Sequence, residues 1–99
     1  RVYEILTINV HCAPFGEIDI IAEKDGSIIF VEVKTYSKKQ LGTSAQNIDQ
    51  NKLKKLEVAI NKYVVDMQVE KDIFLDVIYV YLQPPAPKIK HFKRIRFDT

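Results

Sequence analysis

Apolar positions recur along this chain with two different periods. Residues 2–10 (VYEILTINV) concentrate β-branched and aromatic types and predict a strand. Two more strands are predicted over 16–23 and 27–34, joined at Asp25-Gly26. An Asp-Gly pair between apolar β-formers favours a type I′ hairpin, because both central residues must take positive φ. Residues 35–44 are polar and read as a loop. The period then lengthens: Leu53, Leu56, Ile60, Tyr63, Val64 and Met67 recur at three- and four-residue steps and predict an amphipathic helix. It starts somewhere in 45–50, with Thr43, Asn47 and Asp49 as candidate caps, and ends near 67. Residues 73–82 are nearly continuous in apolar β-formers and predict a central strand buried on both faces. Pro84-Pro85-Ala86-Pro87 ends that strand, and residues 88–97 predict a last strand with a basic side. The order β-β-β-α-β-β implies an α/β domain, a mixed sheet with its helix covering one face.

Composition narrows the class. A chain of 99 residues is read as one domain spanning 1–99. Hydrophobic residues at 46% and charged residues at 28% give the balance of a soluble globular protein rather than a disordered chain. No apolar run approaches the ~20 residues of a membrane span, so no membrane partner is expected. No secretory leader pattern is present, and the lone Cys12 excludes an internal disulfide framework, so the expectation is a reducing, cytoplasmic setting. The chain begins on Arg1 rather than Met and reads as a fragment of a longer protein. The net charge of +2 conceals a polarity: residues 1–34 carry a net −3 and residues 35–99 a net +5.

The acidic third gains meaning once it is placed on the hairpin. With Asp25-Gly26 as the turn, facing residues sum to 51, so Ile18 meets Val33 and Ile20 meets Val31. Asp19 then stands opposite Glu32, and Glu17 opposite Lys34. Strand alternation projects Glu17, Asp19, Glu32 and Lys34 from one face. The other face carries Ile18, Ile20, Val31 and Val33, a patch fit for the core. Glu-x-Lys triplets are common on solvated strands, but two carboxylates directly opposite each other repel. A shared divalent cation relieves that repulsion. Mg²⁺ (or Mn²⁺) prefers oxygen and is often held by only one or two carboxylates plus substrate phosphate. Lys34, two residues beyond Glu32, would reach the same place, where it could orient water or offset charge developing on phosphorus. Gly16 reads as a bulge or a place where another backbone approaches closely.

These residues carry a resemblance. Pro14-Phe15-Gly16-Glu17-Ile18-Asp19-Ile20-Ile21-Ala22, then Asp25-Gly26, then Phe30-Val31-Glu32-Val33-Lys34-Thr35, closely resemble the core of the YraN family. These bacterial proteins are mostly uncharacterised and belong to the PD-(D/E)xK nuclease superfamily. Lys52 through Tyr63, Leu75-Asp76-Val77 and Pro87-Lys88-Ile89-Lys90-His91 continue the likeness over nearly the whole chain. The same acidic pattern resembles archaeal Holliday-junction resolvases. The resemblance implies a restriction-endonuclease-like fold, Asp19 and Glu32 as metal ligands, Lys34 as catalytic lysine and Glu17 as an accessory acid. Two departures stand out: the superfamily's usual N-terminal helix is missing, and Phe74 stands where the family usually has arginine. The missing helix would leave an apolar sheet face uncovered and favour a homodimer.

Basic residues after position 34 are the candidate phosphate contacts, above all Lys38, Lys39 and Lys52. Lys88, Lys90, Arg94 and Arg96 share strand parity and could form a further stripe, although such residues also protect edge strands. His11 and Cys12 lack a second pair at zinc spacing, and packing is the expectation for both. His91 is expected on the surface, Tyr36 beside the site or capping the hairpin, and Asp76 needs a partner inside an apolar strand. The functional expectation is a divalent-metal-dependent endonuclease acting on DNA, with branched or damaged DNA as candidate substrates. The alternative is a non-catalytic nucleic-acid-binding or protein-interaction module that retains the fold.

Overall fold

The computed structural model describes residues 2–14, 16–37 and 50–95. Five strands and one helix follow the expected order: β1 (Glu4–His11), β2 (Glu17–Lys24), β3 (Ser27–Tyr36), α1 (Gln50–Asp66), β4 (Ile73–Tyr81) and β5 (Lys88–Ile95). The strands form one sheet in the order β1-β2-β3-β4-β5. Neighbours are antiparallel except β3 and β4, which run parallel because α1 carries the chain back between them. The result is a mixed α/β sheet consistent with a restriction-endonuclease-like fold. Residues 38–49 lie outside the described residues, and with them the candidate caps Thr43, Asn47 and Asp49.

Local chemistry accounts for most element ends. Asp25 (φ 52°) and Gly26 (φ 79°) both take the positive φ that a type I′ turn requires. The polar tail of the hairpin does not begin at residue 35, since β3 continues to Tyr36 and its rim pairs in parallel with Tyr81. The helix ends in a Schellman arrangement without glycine. Gln68 takes φ 52°, the Val69 N–H donates to the Val64 carbonyl at 3.0 Å and the Gln68 N–H to the Val65 carbonyl at 3.2 Å. Met67 consequently falls beyond the helix and is exposed. Gly16 (φ 111°) serves backbone conformation rather than close approach, because nothing lies within 4 Å of a Cβ built there.

The helix covers the face of the sheet opposite to the one expected. Leu53, Leu56, Ala59 and Ile60 are its buried residues and cluster with Ile21, Ile28, Phe30, Leu75 and Val77. Parallel pairing sets Phe30 beside Leu75, Glu32 beside Val77, Lys34 beside Tyr79 and Tyr36 beside Tyr81. Large side chains therefore gather on the Glu32 side and offer α1 the greater apolar area. The patch expected to be core divides: Ile18 and Val31 are buried, while Ile20 and Val33 are only half-buried. Towards the helix, β4 is buried at Leu75, Val77, Tyr79 and Tyr81, but it is half-buried at Ile78 and Val80 on the other face. On that open face Ile5, Ile8 and Ile89 are more than half exposed, at 61%, 57% and 67%.

One buried acid organises the open face. Asp76 is 2% exposed and fully engaged. Its carboxylate accepts the Tyr3 hydroxyl at 2.8 Å and the Arg94 N–H at 3.1 Å, and lies 2.7 Å from His91 Nε2. The partner that an acid in an apolar strand requires is thus supplied from both ends of the chain. Between Leu75 and Val77 the β4–β5 register shifts, so β5 carries one extra residue, and Arg94 takes φ 56°. The shift breaks the expected basic stripe. Lys88 and Lys90 pair with Tyr81 and Tyr79, whereas Arg94 lies over the Phe74 ring at 4.4 Å on the open side. Arg96 lies outside the described residues.

Burial first, then the hydrogen bond and charge of Asp76, push the Tyr3 phenol up from 10.0 to about 12. The folded protein therefore holds this proton more tightly than the unfolded chain. The associated stability is complete below the ordinary value of 10.0 and is lost as pH rises through about 12. Tyr3→Phe should remove one equivalent from the latest part of the tyrosinate absorbance titration and lower stability by about 1 kcal/mol at neutral pH. A late step of unchanged size in the variant would refute the assignment.

Candidate functional site

The predicted register holds only part of the way up the hairpin. The β2–β3 ladder runs from Lys24↔Ser27 to Ile20↔Val31 and ends there. Beyond it, the Asp19 carboxylate accepts the Val33 N–H at 2.8 Å, in place of a backbone carbonyl. The expected backbone pairs Asp19–Glu32, Ile18–Val33 and Glu17–Lys34 are absent, and β2 continues instead against β1, with Ile18 facing Val10 and Glu17 facing His11. Asp19 nevertheless lies close enough to Glu32 for its carboxyl to act on that of Glu32.

Glu32 is 3% exposed, unusual for a carboxylate on a sheet. Its Oε2 lies 3.1 Å from Lys52 Nζ, reaching down from the first turns of α1, and 3.8 Å from Lys34 Nζ on its own strand. Burial pushes the Glu32 carboxyl above its ordinary value, contact with Asp19 adds to this, and Lys52 opposes it. Lys34 is shifted the other way. Burial lowers its ammonium, contact with Lys52 lowers it further, and the charges of Glu32 and Asp19 pull it back up. Lys52 is raised, first by its contact with Lys34, and also by its contact with Glu32, while burial opposes the rise.

A cavity of about 160 Å³ opens beside this group, with Glu17, Glu32, Lys52 and Lys55 among its lining residues. Glu17 is exposed and its carboxylate lies 3.1 Å from His11 Nε2, a pairing with no sequence signal beyond proximity across the β1–β2 ladder. Among the described residues, no three acids, histidines or cysteines come close enough to share a metal ion. Glu17 therefore stands at the rim rather than with Asp19 and Glu32. Two contacting carboxylates in a buried notch form an all-oxygen donor set suited to a hard cation that retains water. Lys38 and Lys39 lie outside the described residues. Cys12 is packed in the core, where burial raises its thiol. Tyr36 flanks the notch from the next inward position of β3 and stacks on Tyr79 and Tyr81 at 5.8 and 5.7 Å. No described helix is long and apolar enough to cross a membrane.

A carboxylate that burial and a neighbouring acid both disfavour weakens the fold. Glu32→Gln should raise the melting temperature by roughly 2–5 °C in metal-free buffer. A lower melting temperature would mean that the contacts with Lys52 and Lys34 outweigh the cost of burying the charge.

The geometry can be set beside known proteins. A UPF0102 protein of Flavobacterium psychrophilum is 38% identical over 78 residues, covering 79% of this chain and 66% of the relative. One from Campylobacter fetus is 36% identical over 95 residues, covering 96% of this chain and 79% of the relative. One from Christiangramia forsetii is 30% identical over 91 residues, covering 92% and 76% respectively. The matched part thus spans about two-thirds to four-fifths of these relatives' lengths. The profile of the uncharacterised protein family UPF0102 matches residues 1–98, and the chain belongs to that family, the YraN family.

Proposed function

We propose that this chain is a single nuclease-like domain that hydrolyses phosphodiester bonds of DNA with the help of a divalent cation. The observation that carries the reading is the buried Glu32 carboxylate, with half-buried Asp19 close enough to act on it and two lysines within 4 Å of its oxygen. Opposed carboxylates weaken a sheet, so their retention side by side favours a role other than stability. Asp19 and Glu32 would hold Mg²⁺ or Mn²⁺. When bound, such an ion acts as a Lewis acid and promotes ionisation of water.

The remaining roles fall to the chain's own side chains. Lys34, anchored on β3 beside Glu32, orients the attacking water and offsets negative charge gathering on the phosphate. Lys52, with Lys55 on the same cavity wall, receives a backbone phosphate, and Lys38 and Lys39 extend this contact. Glu17, steadied by His11, is the accessory acid at the rim. Branched or damaged DNA is the substrate class to try first, and a buried free thiol at Cys12 agrees with a cytoplasmic setting.

The test is cleavage of single-stranded, duplex and four-way-junction DNA with Mg²⁺ or Mn²⁺. Glu32→Ala and Lys34→Ala should each reduce the rate by about 10²–10³-fold, the loss typical of removing one charge-stabilising group. If neither cleavage nor any effect of these substitutions is seen, the enzyme reading is wrong. Metal-independent binding that weakens steeply with salt would then identify a non-catalytic nucleic-acid-binding module.

A further inference from the structure

We propose that Lys52 serves as the resident cation of the notch, and that a divalent ion enters only by displacing its ammonium from Glu32. This inference rests on the metal-dependent reading above and adds a regulation of the same site. Three observations carry it.

First, Lys52 is closer to Glu32 than Lys34 is, at 3.1 against 3.8 Å from the same oxygen. Lys52 lines the cavity together with Glu32, whereas Lys34 is not among the lining residues. Second, the two lysines differ in freedom. Lys34 is held on a strand with its side chain 21% exposed, whereas the Lys52 side chain comes from the helix and is 50% exposed. Lys52 can swing into solvent on its four-carbon stem without disturbing the sheet. Third, the positions compete. With its ammonium 3.1 Å from Glu32 Oε2, Lys52 would stand directly beside a divalent ion held by the same carboxylate, and like charges that close repel in a poorly solvated notch. Withdrawing Lys52 relieves that repulsion.

A displaced Lys52 stays beside the cavity, next to Lys55, where a phosphate could capture it. A backbone phosphate and the divalent ion would then favour each other's binding, because both draw on the same movement. The ion would be held weakly in the free protein and more tightly once DNA is bound.

The experiment is Mn²⁺ titration of the chain, followed by the electron paramagnetic resonance of free Mn²⁺, for wild type, Lys52→Met, Glu32→Gln and Lys62→Met. Lys62 pairs with Asp66 elsewhere on α1 and controls for the loss of one positive charge. Lys52→Met should bind Mn²⁺ about tenfold more tightly than wild type, within the range usual for coupled sites. Lys62→Met should stay within about twofold, as expected for a screened exposed charge. Glu32→Gln should lose the site. A short uncleavable DNA duplex should tighten Mn²⁺ binding in wild type but not in Lys52→Met. If Glu32→Gln abolishes binding while Lys52→Met does not tighten it, the displacement inference fails and the metal site stands. If Glu32→Gln binds Mn²⁺ as wild type does, the metal site itself fails, and the inference with it. Thermal melting of each variant separates these outcomes from loss of fold.

Discussion

Strand β3 sets the central constraint. Its two-residue period sends Ile28, Phe30, Glu32, Lys34 and Tyr36 to the same face, and α1 packs on that face. Apolar core and charged notch therefore share one strand, one helix and one parallel ladder to β4. Glu32 cannot turn outward without a register slip that would also expel Phe30. Its burial follows from the packing of its neighbours, and its carboxylate must be accommodated where it lies. Asp19 takes part by ending the β2–β3 ladder and turning its own carboxylate inward to the Val33 N–H.

Among the described residues, two acids are buried, and they are handled in opposite ways. Asp76 is satisfied by a hydroxyl, an imidazole and a backbone N–H, groups that the fold itself holds in place. Such saturation leaves little room for a ligand and ties the start of the chain to its last two strands. Glu32 faces another carboxyl and two lysines, one of them half in solvent. Mobile cations can be exchanged for another cation, whereas a backbone N–H cannot. The first acid acts as a structural tie, and the second belongs to a place where chemistry is possible.

Much of this was legible in the residues. The type I′ turn, the hairpin register near it and the helical stripe of Leu53, Leu56 and Ile60 follow from φ preferences and from periods of 2.0 and 3.6. The likeness to the YraN family was legible for the same reason: the hairpin that concentrates its acids is short and local. What failed to show were features that depend on distant segments. Asp76 meets Tyr3 across 73 residues of sequence, and no pattern around either residue announces it. The broken basic stripe of β5 depends on a bulge beside Asp76. The helix stop at Gln68 lacked the usual glycine.

The sequence by itself determined the element order, the family and the side-by-side acids, because each is encoded within a few residues or within one strand pair. It did not determine which face of the hairpin α1 would cover, since both faces offered apolar residues. The parallel pairing of β3 with β4 decided that, by lining up Leu75, Val77, Tyr79 and Tyr81 on the Glu32 side. Nor did it reveal that Lys52, expected to meet phosphate, would rest on Glu32. That contact joins a helix to a strand and exists only once the larger apolar surface has drawn the helix down onto it.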